Sequence, residues 1–212
     1  MPREKVLGLA LTAAAALSLA CGKGSDGVGP LVAGNGHVVV QLTDAPFPVD
    51  SVQSVDVFVM RVDARPSDVS EADAAEGTDD AAAHANGWLT LAEPNASFNL
   101  LSLQNGVSVT LGEADLVPGT YRGFRLIIDV SRSSVTLLNG TTLTSSSSPN
   151  IVFPSVAQTG IKIVMNSDVT ILADQTTTLL VDFDVGNSFV LRGNSILQNG
   201  LLFQPVVHAS AQ

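Results

Sequence analysis

Asp182 and Asp184 stand two residues apart, with the apolar Val181, Phe183 and Val185 interleaved. On a β-strand this spacing puts both carboxylates on one face and the three apolar side chains on the other. Two carboxylates held side by side repel each other unless a cation sits between them. Ca2+ is one candidate, with Asp44 or Asp129 completing a cage of oxygens. A side chain from a neighbouring strand, Lys162 or Arg125, is the other, in a cross-strand pair worth roughly 0.2–1 kcal/mol. Asp182, Asp184 and Asp129 also suggest a third chemistry, glycoside hydrolysis, which uses two acids flanking the bond that breaks. Arg122 and Arg125 lie three apart, so a regular strand would send them to opposite faces and form no clamp.

Trp88, between Gly87 and Leu89-Thr90-Leu91, could offer its ring to a sugar or anchor a core. With one Trp and one Tyr in the chain, aromatic area for carbohydrate is thin. The three histidines, His37, His84 and His208, come without the carboxylate spacing of a metal centre. No Gly-x-Ser-x-Gly elbow appears for a hydrolytic triad, and no glycine loop leads into a helix to cradle phosphate. The expectation is therefore a protein without catalytic residues and without a cofactor, Ca2+ being the one ion the acids would suit.

The elements that must position these residues are strands. Residues 37–43 alternate, with Val38, Val40 and Leu42 on one face, and residues 121–130 alternate with Phe124, Leu126, Ile128 and Val130 together. Residues 52–62 form a β-branched run suited to a strand buried on both sides. Further strands are expected over 88–91, 98–103, 107–111, 134–138, 141–144, 160–165, 168–172, 177–185, 188–191 and 201–208. Asn105-Gly106 and Asn139-Gly140 suit tight hairpins, and Pro118-Gly119 a type II turn. No stretch beyond the leader holds a 3.6-residue period. These signals predict an all-β fold, a two-sheet antiparallel β-sandwich of immunoglobulin-like or prealbumin-like kind. An outer-membrane barrel would need aromatic girdles and longer strands than several of these.

Acidic residues outnumber basic ones 20 to 10 in the 212-residue chain, a formal charge of −10 that disfavours nucleic acid. Hydrophobic residues make up 45%, enough for a core throughout one domain. Residues 66–87 depart from the rest: Asp68, Glu71, Asp73, Glu76, Asp79 and Asp80 stand there among alanines without a basic residue. That segment reads as an acidic surface loop, and its spacing is not that of a calcium loop.

At the start, Arg3 and Lys5 precede fifteen uncharged residues, 6–20, which are too few to span a bilayer comfortably and suit a signal h-region. The run ends Leu17-Ser18-Leu19-Ala20-Cys21, and Cys21 is the only cysteine. This resembles a bacterial lipoprotein signal, in which the cysteine becomes the lipidated mature N-terminus. Residues 1–21 are thus expected to be leader, 22–35 a glycine-rich tether and 36–210 one domain. Gly22 after the cysteine resembles the default for sorting to the outer membrane.

Several phrases follow in order: Leu42-Thr43-Asp44-Ala45-Pro46, Gly87-Trp88, Leu100-Leu101-Ser102-Leu103-Gln104-Asn105-Gly106, Leu116-Val117-Pro118-Gly119-Thr120-Tyr121, Arg125-Leu126, Gln158-Thr159-Gly160-Ile161-Lys162 and Asp182-Phe183-Asp184. The ordered set resembles the bacterial domain-of-unknown-function 4382 family, over nearly all of the chain beyond the leader. One departure is Asn99, where that family usually has Asp. The resemblance implies a lipoprotein of the cell envelope and supplies no reaction, ligand or site. The expected role is an envelope-anchored, non-catalytic module that meets the membrane through its N-terminal lipid and binds a protein, a glycan or a surface polymer. A carboxylate-dependent hydrolase and a calcium-stabilised adhesion domain are the alternatives.

Overall fold

In the computed structural model, residues 34–44, 51–70, 87–154 and 156–212 are described. Cys21, the tether except for Gly34 and Asn35, His84 and the acids from Glu71 to Asp80 lie outside them. Period-two sequence becomes period-two burial at once. Strand β1 (Gly36–Asp44) alternates without a break between buried and half-buried residues. Val38, Val40 and Leu42 on its inner face are at most 2% exposed. Each such side chain contributes about 1.5–3 kcal/mol by leaving water.

Two long strands carry much of the rest: β2 (Val52–Pro66) and β6 (Gly119–Leu137) pair antiparallel along nearly their full length. Around them lie β3 (Leu89–Ala92), β4 (Ala96–Asn99), β5 (Val109–Leu116), β7 (Thr142–Leu143), β8 (Ile151–Val152), β9 (Ile161–Met165), β10 (Val169–Ile171), β11 (Thr176–Phe183), β12 (Phe189–Leu191), β13 (Leu201–Phe203) and β14 (Val207–Ala211). Among the described residues, helices are single turns only, at Leu100–Leu103, Val156–Thr159, Val185–Ser188 and Ile196–Asn199.

The large sheet follows the order β3-β2-β6-β9-β14-β11-β1-β5, with β4 also on β2 and with β7 and β10 on β6. Its two ends approach each other: a Cβ placed on Gly112 of β5 would lie 2.9 Å from the Cβ of Ala92 in β3. The sheet is therefore nearly barrel-shaped, and its interior is a filled apolar core. A second sheet, β12-β13-β8, is joined to that core through Phe203, which packs on Phe153, Phe183 and Phe189 with centroids 4.9–6.2 Å apart.

The all-β expectation holds, but the pairing differs from a two-sheet antiparallel sandwich. Strands β1 and β11, β9 and β14, and β8 and β13 pair in parallel. One continuous path of strands takes the place of two separate layers. Neither alternation nor turn residues carry the direction of a partner distant in sequence, so the pattern could not reveal this.

Local chemistry explains the smaller differences. The predicted strand at 98–103 stops at Asn99, whose side chain accepts hydrogen bonds from the Leu101 N–H (3.2 Å) and the Val55 N–H (3.3 Å) and so starts a helical turn. Capping needs a side-chain oxygen, which Asn supplies as well as Asp. Asn105 and Gly106 are both left-handed, with φ of 61° and 83°, yet their turn joins that helical turn to β5 and makes no hairpin. Asn139-Gly140 does join a hairpin, β6 to β7. Gly119 begins β6 without the positive φ of a type II turn. The predicted strand at 201–208 is split at Gln204 to Val206 into β13 and β14.

Candidate ligand cleft at Trp88

Strand β2 carries Arg61, Asp63 and Arg65 at alternate positions, so all three share one face while Val62 and Ala64 enter the core. All three are buried, Asp63 completely. Arg125 of β6 lies opposite Asp63 in the ladder. The Asp63 carboxylate lies between two guanidinium groups: Arg61 Nε is 2.7 Å from Oδ1, and Arg125 Nε donates to Oδ2 at 2.9 Å. Thr90 Oγ1 also reaches Oδ1, at 3.4 Å. Ion pairs this buried persist only when geometry and hydrogen bonds offset the loss of water.

Trp88 covers this group from the start of β3. The Arg125 guanidinium carbon lies 4.3 Å from the indole centroid and that of Arg65 lies 5.8 Å away. A desolvated cation on an indole face contributes about 2 kcal/mol. Arg65 donates from Nη1 to the Val69 carbonyl. It also runs across Gly123, where a Cβ would meet Arg65 Nε at 2.8 Å. Glycine there lets the side chain lie flat over β6.

Beside Trp88 opens a cleft of about 440 Å³ lined by Arg65, Asp68, Arg122, Lys162 and the Ser67 and Ser70 segment. Arg122 is exposed at the rim and is held by Asp168, with Nε and Nη2 3.1–3.3 Å from its carboxylate. Two buried donors, Arg125 Nη2 and Trp88 Nε1, have no hydrogen-bond acceptor among the described residues. The surroundings of Trp88 are thus rich in donors and positive charge, in a chain that is acidic overall.

The sequence expectation for Arg122 and Arg125 fails here for a local reason. The β2–β6 register shifts between Arg65 and Pro66, so Tyr121 and Phe124 both enter the core. That irregularity leaves Arg122 on the cleft side with Arg125, where a regular strand would have separated them. Arg61 is hidden in the sequence because the run 52–62 reads as a strand buried on both faces, and Asp63 and Arg65 lie just beyond that run. The signal was present: charges at i, i+2 and i+4 inside an apolar strand mark one face as a buried polar network.

The candidate carboxylates take other roles. Strand β11 ends at Phe183, so Asp182 and Asp184 do not share a strand face. Asp184 instead caps the turn Val185–Ser188, accepting from the Asn187 N–H (3.0 Å) and the Asn187 side-chain amide (2.7 Å). Asp182 lies opposite His208 in the β11–β14 ladder. Arg125 is engaged by Asp63 rather than by either of them. Asp44 lies at the end of β1, buried, with Oδ1 accepting from the Val185 N–H (3.1 Å) and Oδ2 from the Gln104 amide (3.2 Å). Burial pushes its carboxyl up to about 6, the charges of Asp182 and Asp184 adding to that push. Asp129 stands on β6, separated from β11 by β9 and β14. Ser131 holds it, Oγ at 2.6 Å and N–H at 2.9 Å, which lowers its pKa. Among the described residues, no three His, Cys, Asp or Glu side chains are placed to hold a metal ion. His37 faces Asp115 (3.0 Å) and Glu113 (3.3 Å) on β5, and their pull, led by the hydrogen bond to Asp115, raises its pKa.

A known family description, domain of unknown function (DUF4382), matches residues 35–199, well over half of the chain. The chain belongs to the DUF4382 family. No curated protein and no solved structure matches it. Six of the seven phrases that carry the DUF4382 resemblance gather at two places. Thr43 Oγ1 donates to the carbonyls of Leu103 (3.1 Å) and Val107 (2.8 Å), Asp44 holds Gln104 and Val185, and Asp44 stands opposite Phe183 in the ladder, so three phrases meet at the end of β1. Trp88, Arg125 and Lys162 come from three others: Trp88 and Lys162 line the cleft, and Arg125 stacks on the Trp88 indole. No helix among the described residues is long and apolar enough to cross a membrane.

Proposed function

We propose that this chain is a non-catalytic binding module of the bacterial envelope, moored by lipid on Cys21, with the cleft at Trp88 as its ligand site. The observation that carries this reading is the cleft itself. It is concave, aromatic on one wall and donor-rich, and its Trp88 wall is fixed by a buried ion-pair network. Rigid support of this kind suits recognition, since a positioned wall loses little entropy on binding.

A hydrolase needs two carboxylates facing each other across a groove, one of them with a raised pKa. Asp44 has the raised pKa, yet both its oxygens are engaged by Val185 and Gln104. The arrangement supports a lock on the end of β1 rather than an acid aimed at a substrate. The anchor rests on the sequence: a basic start, fifteen uncharged residues, then Ala20-Cys21. Several acyl chains, at roughly 0.8 kcal/mol per buried methylene, hold a protein at a bilayer almost permanently.

The test uses the full chain in detergent on an array of envelope glycans, with a pull-down of envelope proteins in parallel. Trp88→Ala is expected to abolish capture while leaving the circular dichroism β-rich. Radiolabelled fatty acid is expected in the parent and not in Cys21→Ser. Capture that survives Trp88→Ala, or release of shortened glycan from the array, contradicts the proposal.

A further inference from the structure

The charge of the cleft narrows the class of ligand, and the inference rests on the reading of that cleft as a binding site. We infer that the cleft takes an acidic glycan, a sugar chain bearing uronic-acid carboxylates. Three cations line it: Lys162 and Arg122 exposed at the rim and Arg65 buried behind them. Asp168 engages Nε and Nη2 of Arg122 and leaves Nη1 as a further donor. A carboxylate meets such a group through charge-assisted hydrogen bonds, which are about twice as strong as neutral ones.

Charge alone would suit any anion, so the remaining lining residues decide. Asp68, Ser67 and Ser70, consecutive along the chain but for Val69, also line the cleft. Asp68 repels a bare polyanion and accepts from a hydroxyl donor. A uronate chain brings both groups, carboxylates for the cations and ring hydroxyls for Asp68 and the serines. Trp88 supplies the apolar surface for a ring face, and Arg125 stacked on the indole at 4.3 Å fixes that surface in place. The volume, about 440 Å³, falls in the range of ordinary small-molecule clefts. The protein's overall charge of −10 does not attract such a ligand from afar, so recognition is local and short-range.

Because Trp88 is the only tryptophan of the chain, its emission reports on this cleft directly. The full chain in uncharged detergent is titrated with a galacturonate tetramer, with the neutral galactose tetramer and with tetraglutamate. The expected result is a saturable change in emission with the galacturonate tetramer that weakens as salt rises. Arg122→Gln and Lys162→Gln each raise Kd about tenfold, or 1.4 kcal/mol, without lowering the melting temperature. The galactose tetramer and tetraglutamate bind at least about tenfold more weakly. Equal binding of the galactose tetramer overturns the charge requirement and leaves the cleft as a site. Equal binding of tetraglutamate overturns the choice of a glycan. If none of the three binds, the acidic-glycan inference is wrong. If the galacturonate tetramer binds by calorimetry with the same Kd in Arg122→Gln, Lys162→Gln and Trp88→Phe, the ligand sits elsewhere and the cleft itself is refuted as the site.

Discussion

Burial holds the Asp44 carboxyl up at about 6 against the pull of the Val185 N–H and the Gln104 amide. An unfolded aspartate titrates near 3.9. A carboxyl raised in the folded state favours folding fully below its unfolded pKa, and that contribution is lost as pH rises through 6. The shift corresponds to roughly 2–3 kcal/mol between about pH 4 and pH 6. Asp44→Asn keeps an oxygen for the Val185 N–H, and the Gln104 amide can turn to pair with the new one. Chemical denaturation at a series of pH values should show a flatter stability profile over that window for Asp44→Asn, with no loss at pH 7.5. A profile as steep as the parent's would show that another group causes the slope. Residues such as this were half legible: Asp44 was picked out by its type, but its neighbours are brought to it by parallel pairing of β1 with β11, which no local pattern announces. The same holds for Arg125, whose true partner Asp63 lies 62 positions away in the sequence.

At the scale of elements, alternation was the dependable signal. Strand β1 reads off the sequence residue by residue, because one face is core and the other is not. The pair β2–β6 was legible as strands but not in its details, since its ladder shifts register at four places and each shift moves side chains to a new face. Ser133 shows how one such irregularity is held: its hydroxyl donates to the Asp129 carbonyl (2.8 Å) and accepts from the Phe58 N–H (3.0 Å). The small sheet β12-β13-β8 was beyond sequence reasoning, because β8 has two residues and no period to read. Its attachment depends on Phe203, fully buried among three other phenylalanines. Phe203→Ala should cost about 3–5 kcal/mol, measured by urea unfolding. A loss under about 1 kcal/mol would mean that the aromatic cluster does not carry this junction.

At the largest scale, the chain is acidic, and its described residues form a nearly closed β-structure that carries a locally cationic, aromatic cleft. The sequence revealed the acidity and the strands, and it singled out Trp88. It hid the cations that surround Trp88, because they come from β2, β6 and β9 and meet only when the sheet forms. The central claim is that Trp88 lines an accessible site of positive charge despite the net charge of −10. Collisional quenching of the single tryptophan in the native full chain tests this directly, with iodide as the anionic quencher and caesium as the cationic one. The account predicts that iodide quenches more strongly than caesium at low salt and that the difference shrinks as salt screens it. Stronger quenching by caesium, or no quenching by either ion, would contradict it.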